Sequence, residues 1–211
     1  MYKLMSILVV LTIGFFYAGC KGREGPTESR QETEIEEEKS EGVVSEIEEK
    51  IEKMHEEQAE EEAVKAPLGI AADLWKLIQT ENYRERWKMW PGKEALYEGT
   101  PPHGASLTTY VNSIGYDAVV KKENQLPPGT IIVTENYMPD HTLEAISVMY
   151  NLADFDPLQG NWFWVKYDTD GNPMRMESDG KTITLAGKLT SCIACHTAST
   201  SGIQFIMTAP E

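Results

Sequence analysis

The 211 residues carry 34 acidic against 19 basic side chains, a formal net charge of -15 at pH 7. That balance argues against nucleic acid as a partner, because neutralising a phosphate backbone needs a basic face. Only three cysteines are present, so the use of each can be followed separately.

The opening stretch MYKLMSILVVLTIGFFYAGC sets Lys3 before a mainly apolar run from Met5 to Tyr17. The run is shorter than the roughly 20 residues a membrane span needs, and it reads as a signal peptide over residues 1–19. Ala18-Gly19 directly before Cys20 has the form of a bacterial lipobox, in which the cysteine is lipidated and becomes the mature N-terminus. Tyr17 stands where such motifs usually have Leu, so an ordinary signal-peptide cut nearby is the alternative. The expectation is an exported protein in the periplasm or on the cell surface, anchored to the membrane through Cys20.

Residues 20–65 form an acidic tether. From Lys21 to Lys65 there are seventeen Glu against seven Lys plus Arg, and few residues able to build a core. Val44, Ile47, Ile51 and Met54 recur at three- and four-residue spacing, and Glu46/Lys50 and Glu49/Lys53 are favourable i,i+4 pairs, so part of the tether is expected to be helical. Pro67 marks the boundary of a domain covering residues 66–211, an ordinary length for one core. It opens with a helix whose apolar face is Ile70, Leu74, Trp75, Leu77 and Ile78. A second short helix carries Tyr83, Trp87 and Trp90 up to Pro91-Gly92.

Downstream the hydrophobic period changes to two. ASLTTYVN, GTIIVTENY, LEAISVMYNL, NWFWVKYD and KTITLAG are rich in β-branched and aromatic residues, and turn signals such as Pro139-Asp140 and Asp170-Gly171 fall between them. SIGYDAVVKKEN, between the first two strands, predicts a helix. The fold class is therefore α+β: an antiparallel meander of about five strands with flanking helices, and a C-terminal helix opened by Cys192-x-x-Cys195-His196.

That motif has three chemical readings on spacing alone, covalent haem attachment, a dithiol redox pair and half of a zinc site, with coincidence as the fourth, since a five-residue pattern has a noticeable chance rate. Haem attachment needs two thiols that add to the haem vinyl groups and a histidine beneath the iron, which one helical turn of CxxCH supplies. If Cys20 carries lipid, the other two cysteines are consumed by one haem c and none is left over. A disulfide between Cys192 and Cys195 would be unusually tight, and export disfavours a reduced zinc site. A thioredoxin-type pair would follow an early strand, whereas here the motif comes last. For zinc, His55 lies in the tether and only His103 and His141 remain.

The stretches MWPGKEALYEGTPPHG, LTTYVN, LPPGTIIVTENY, ISVMYN, NWFWVKYD and CIACH, in this order over Trp87 to Thr208, resemble the cytochrome P-460 family, which includes the sheet-built cytochromes c-prime. The resemblance implies a mainly antiparallel β domain, often a homodimer, holding one haem c with His196 as proximal iron ligand and an open or weakly capped distal side. It implies binding of nitric oxide or a related small nitrogen species, and in some members oxidation of hydroxylamine or nitric oxide with a redox partner protein. The oxidising members carry a lysine cross-linked to the haem edge. Where relatives commonly read GxIIVKE and VMYK, this chain has Thr134 and Asn151, leaving Lys121, Lys122 and Lys166 as other lysines.

On the distal side, His103 in GTPPHG is the candidate ligand or hydrogen-bond donor, because Pro102 and Gly104 make a rigid turn around it. His141 reads as a solvated hairpin residue and Met149 as core. Alternation sends Phe163 to the opposite face from Trp162 and Trp164, which makes the tryptophans a candidate haem wall. Only Met207 follows His196 as a nearby second ligand. Two alternatives to the ligand-binding cytochrome are kept: a six-coordinate electron carrier and a haem gas sensor without turnover.

Overall fold

The computed structural model describes residues 29–178 and 180–207. The predicted signal peptide and Cys20 lie outside them. The chain divides into two compact units, Met1–His55 and Glu56–Glu211. The described part of the first is helix, belonging to α1 (Ser29–Thr80), on which Ile47, Ile51 and Met54 are exposed. Among the described residues no helix is long and apolar enough to cross a membrane.

In the second unit, α1 continues without a break through Pro67, so the expected boundary is not a break in secondary structure. An interior proline costs about 3 kcal/mol. Downstream of it, Leu74 and Ile78 are buried along with Ala71, and each large aliphatic contributes about 1.5–3 kcal/mol. Packing therefore accounts for the helix downstream of Pro67. Leu77, read from spacing as part of the apolar face, points outward and is 43% exposed.

The second expected helix is a single turn, α2 (Tyr83–Arg86). Trp87 already has extended backbone, and β1 (Lys88–Met89) pairs with β3 (Ser106–Val111), as does β2 (Tyr97–Glu98). The helical spacing of Tyr83, Trp87 and Trp90 is thus overridden by sheet pairing. The Trp90 N–H donates to the Thr109 carbonyl at 2.8 Å. Helix α3 (Ser113–Val120) is capped by Asn112, whose Oδ1 accepts from the Gly115 N–H.

β4 (Ile131–Tyr137), β5 (Leu143–Asn151) and β6 (Trp162–Tyr167) complete the predicted meander, all antiparallel. The last predicted strand divides. Arg175–Ser178 (β7) and Lys181–Thr184 (β8) form a separate hairpin, and only Ala186–Gly187 (β9) pairs with β6. The result is a seven-stranded antiparallel sheet, ordered β1-β3-β4-β5-β6-β9 with β2 also on β3, rather than five strands. The α+β class holds, and α4 (Thr190–His196) carries the cysteine motif at the C-terminal end.

Strand alternation gives the sheet two cores. On one face Ile131, Val133, Ile146, Val148, Phe163, Val165 and Tyr167 pack with Ala71, Leu74, Ile78 and Tyr83. The Tyr167 hydroxyl donates to the Ala71 carbonyl at 2.6 Å. Glu135 is buried on this face and accepts from the Tyr83 hydroxyl (2.8 Å), the Tyr137 hydroxyl (2.6 Å) and Arg84 Nε. Burial and this carboxylate push the Tyr137 hydroxyl up to about 12. On the other face Ile132, Trp90, Trp162 and Trp164 pack with α3 and with the C-terminal residues Leu189, Ile203, Phe205 and Ile206. Cys192 and Ile193 border this second core.

Because, among the described residues, the buried side chains of α1 begin at Ala71, a chain starting at Ala66 keeps every described apolar contact of the helix on the sheet. Its thermal unfolding is expected to stay cooperative, with the midpoint of the full chain. A circular-dichroism melt checks this; a broad, non-cooperative transition would show that the acidic segment is part of the folded core.

Candidate functional site

The second core ends on α4. Cys192 and His196 are one helical turn apart, Cys192 half-buried and Cys195 exposed, and both thiols are free. After the helix the chain folds back, so that the carbonyl of Phe205 accepts a hydrogen bond from His196 Nδ1 at 2.7 Å. The Ser199 and Ser201 hydroxyls both donate to the Ile206 carbonyl, which holds this return segment in place. The His196 ring lies against Trp164, centroids 4.7 Å apart and planes at 66°.

The sheet brings His103 to the same place. Its ring centroid is 6.3 Å from that of His196, with the planes at 74°. His103 Nδ1 is 3.1 Å from Asn136 Oδ1. Asn136 is wholly buried, and its Nδ2 donates to the carbonyls of Thr134 (2.9 Å) and Ala145 (3.2 Å) and to the Ser147 hydroxyl (3.1 Å). Burial pushes both histidines below the usual imidazole range, which favours the neutral, ligating form.

Lys166 is also at this edge. It lies on the same face of β6 as Trp162 and Trp164, donates from Nζ to the Pro102 carbonyl at 3.3 Å, and its charge acts on both His103 and Cys192. Thr134 faces the same side as Asn136, with its hydroxyl 3.1 Å from that of Thr109. Asn151 is instead a loop tie, donating to the carbonyls of Leu126 and Gly160. Met149 packs against the second core, His141 is an exposed turn residue with φ of 63°, and Met207 is 53% exposed. Lys121 and Lys122 close the C-terminal end of α3, and no described contact brings them to His196.

Sequence reading missed Asn136. The signal was available: a Glu-Asn pair inside an apolar strand sends one polar group to each face, where each must find partners.

The three readings of the cysteine motif can be weighed on these residues. A nucleophilic dithiol needs a depressed thiol pKa, but burial pushes the Cys192 thiol up. Among the described residues no three His, Cys, Asp or Glu side chains converge to hold a metal ion, so a zinc site lacks its remaining ligands. The donor set does fit haem c. Two thiols and one imidazole lie on a single helix, beside a mainly aromatic and aliphatic surface. The buried indole N–H groups of Trp90 and Trp164 in that surface have no protein acceptor, as suits a group that brings acceptors of its own. Compared with known proteins, the chain matches no protein-family model and no curated protein.

Proposed function

We propose that the second unit is a c-type cytochrome domain of the P-460 kind, tethered to a membrane through lipidated Cys20 and binding nitric oxide or a related small nitrogen species at one haem c. What supports this most directly is that Cys192, Cys195 and His196 share one short helix whose histidine faces a second imidazole beside a tryptophan-rich surface. The thiols of Cys192 and Cys195 would each add sulfur and hydrogen across one haem vinyl group, and His196 Nε2 would ligate the iron. When bound, the haem supplies a redox-active iron able to take a diatomic ligand.

The remaining work falls to the chain. The Phe205 carbonyl fixes the proton of His196 on Nδ1, which orients the ring and makes Nε2 more basic. Trp162, Trp164 and Ile132 exclude water, and such surroundings favour a neutral ligand over an unpaired charged one. Oxidation of hydroxylamine or nitric oxide is the enzymatic extension of this reading and requires a redox partner protein. A six-coordinate electron carrier is the second reading, favoured by the approach of His103 to His196. Adding nitric oxide or carbon monoxide to the ferrous protein separates them. The first reading predicts a saturable shift of the main haem absorption band at one ligand per chain. An unchanged spectrum at saturating gas would leave the electron carrier.

A further inference from the structure

Resting on the haem reading above, we infer that His103 is the sixth ligand of the resting iron, a protein-borne cap that an incoming diatomic molecule must displace. Spacing is the first support. Metal–imidazole bonds of about 2 Å on either side of one ion hold two ring centroids roughly 6 Å apart, and the centroids of His103 and His196 are 6.3 Å apart.

Proton placement is the second, and it separates a cap from a distal hydrogen-bond donor. Asn136 Nδ2 donates to the carbonyls of Thr134 and Ala145, which can only accept, so the amide orientation is fixed. Its Oδ1 therefore faces His103, and it also receives the Gly104 N–H at 3.4 Å. An acceptor there requires the His103 proton on Nδ1 and leaves Nε2 bare. The Phe205 carbonyl imposes the same tautomer on His196. Two neutral imidazoles with bare Nε2 atoms are suited to share one metal ion. A bare Nε2 has no proton to give a bound ligand.

The two ligands are held differently. His196 belongs to α4, next to Cys195, whereas His103 sits in the loop between β2 and β3, secured by its own N–H to the Thr100 carbonyl at 3.0 Å and by Asn136. His103 is therefore the side that exchanges. A cap bound nine-tenths of the time lowers apparent ligand affinity about tenfold.

Absorption and electron paramagnetic resonance spectra of the full-length haem-loaded protein test this. The wild type is expected to be low-spin and six-coordinate, and His103→Ala high-spin and five-coordinate, with imidazole restoring the low-spin state. Carbon monoxide binding to the ferrous wild type should reach a rate plateau as gas concentration rises. In His103→Ala the rate should rise linearly and affinity should increase by about tenfold or more. His103→Gln, closer in volume, should give the same spin change if the alanine variant does not fold. A high-spin wild type, or a low-spin state unchanged by both substitutions, would overturn the cap while leaving the haem reading standing. A protein without haem would overturn that reading and the cap together.

Discussion

Replacing Cys192 and Cys195 together with Ala is expected to abolish covalently held haem while leaving the sheet folded. Cys192 lies half-buried at the margin of the second core and Cys195 is exposed, so neither substitution opens a large cavity. Removing a half-buried sulfur and an exposed one costs far less than the about 2–5 kcal/mol of a large buried aliphatic truncation. The far-ultraviolet spectrum should be retained, and the peroxidase stain of denatured protein on a gel should vanish. Haem that survives denaturation in the double variant would place the attachment elsewhere.

Gly104→Ala is expected to have the second largest effect, because it acts on the loop that carries His103. A Cβ at position 104 would lie 2.5 Å from both N and O of Tyr137 and 2.9 Å from the carbonyl carbon of Asn136. These are backbone atoms of the sheet and cannot swing away, so the loop must lift from β4. Overpacking of this kind costs about 1–3 kcal/mol, and the lift also strains the bond between His103 and Asn136. The variant should lose stability and, once loaded with haem, shift toward the high-spin state. Gly69→Ala is the contrasting control: it lies in α1 with nothing within 4 Å of an added Cβ, and it should gain about 0.5–1 kcal/mol. Denaturant midpoints measured for the two variants should move in opposite directions.

The central strands were legible because their alternation is strict. Ile131 and Val133 pack on one face of β4 and Ile132 on the other, and Phe163 separates from Trp162 and Trp164 as period two requires. What escaped was structure without a strong apolar pattern. β7 and β8 are mostly exposed and pair only with each other, so KTITLAG reads as one strand although its two ends belong to different sheets. Tyr83, Trp87 and Trp90 have helical spacing, but Trp87 is extended and β1 follows at once. The placing of Cys192, Cys195 and His196 together on one C-terminal helix was legible because the three lie within five residues. The approach of His103 to His196 was not, since the two are far apart in sequence and meet only through sheet topology. Lys166 was visible as a lysine in a strand, but its place at the rim depends on the Pro102 carbonyl from a distant loop.

The most direct test of the account is a peptide map of the full-length protein made in a host with haem-attachment machinery. Trypsin should keep Leu189 to Glu211 together on one peptide, since no Lys or Arg lies between Lys188 and Glu211. The predicted result is that this peptide carries the mass of one haem, that cleavage after Lys166 is normal, and that no lysine peptide carries haem. A haem-bridged peptide blocked at Lys166 would restore a cross-linked oxidising enzyme. Leu189 to Glu211 recovered without haem would contradict the cytochrome reading itself.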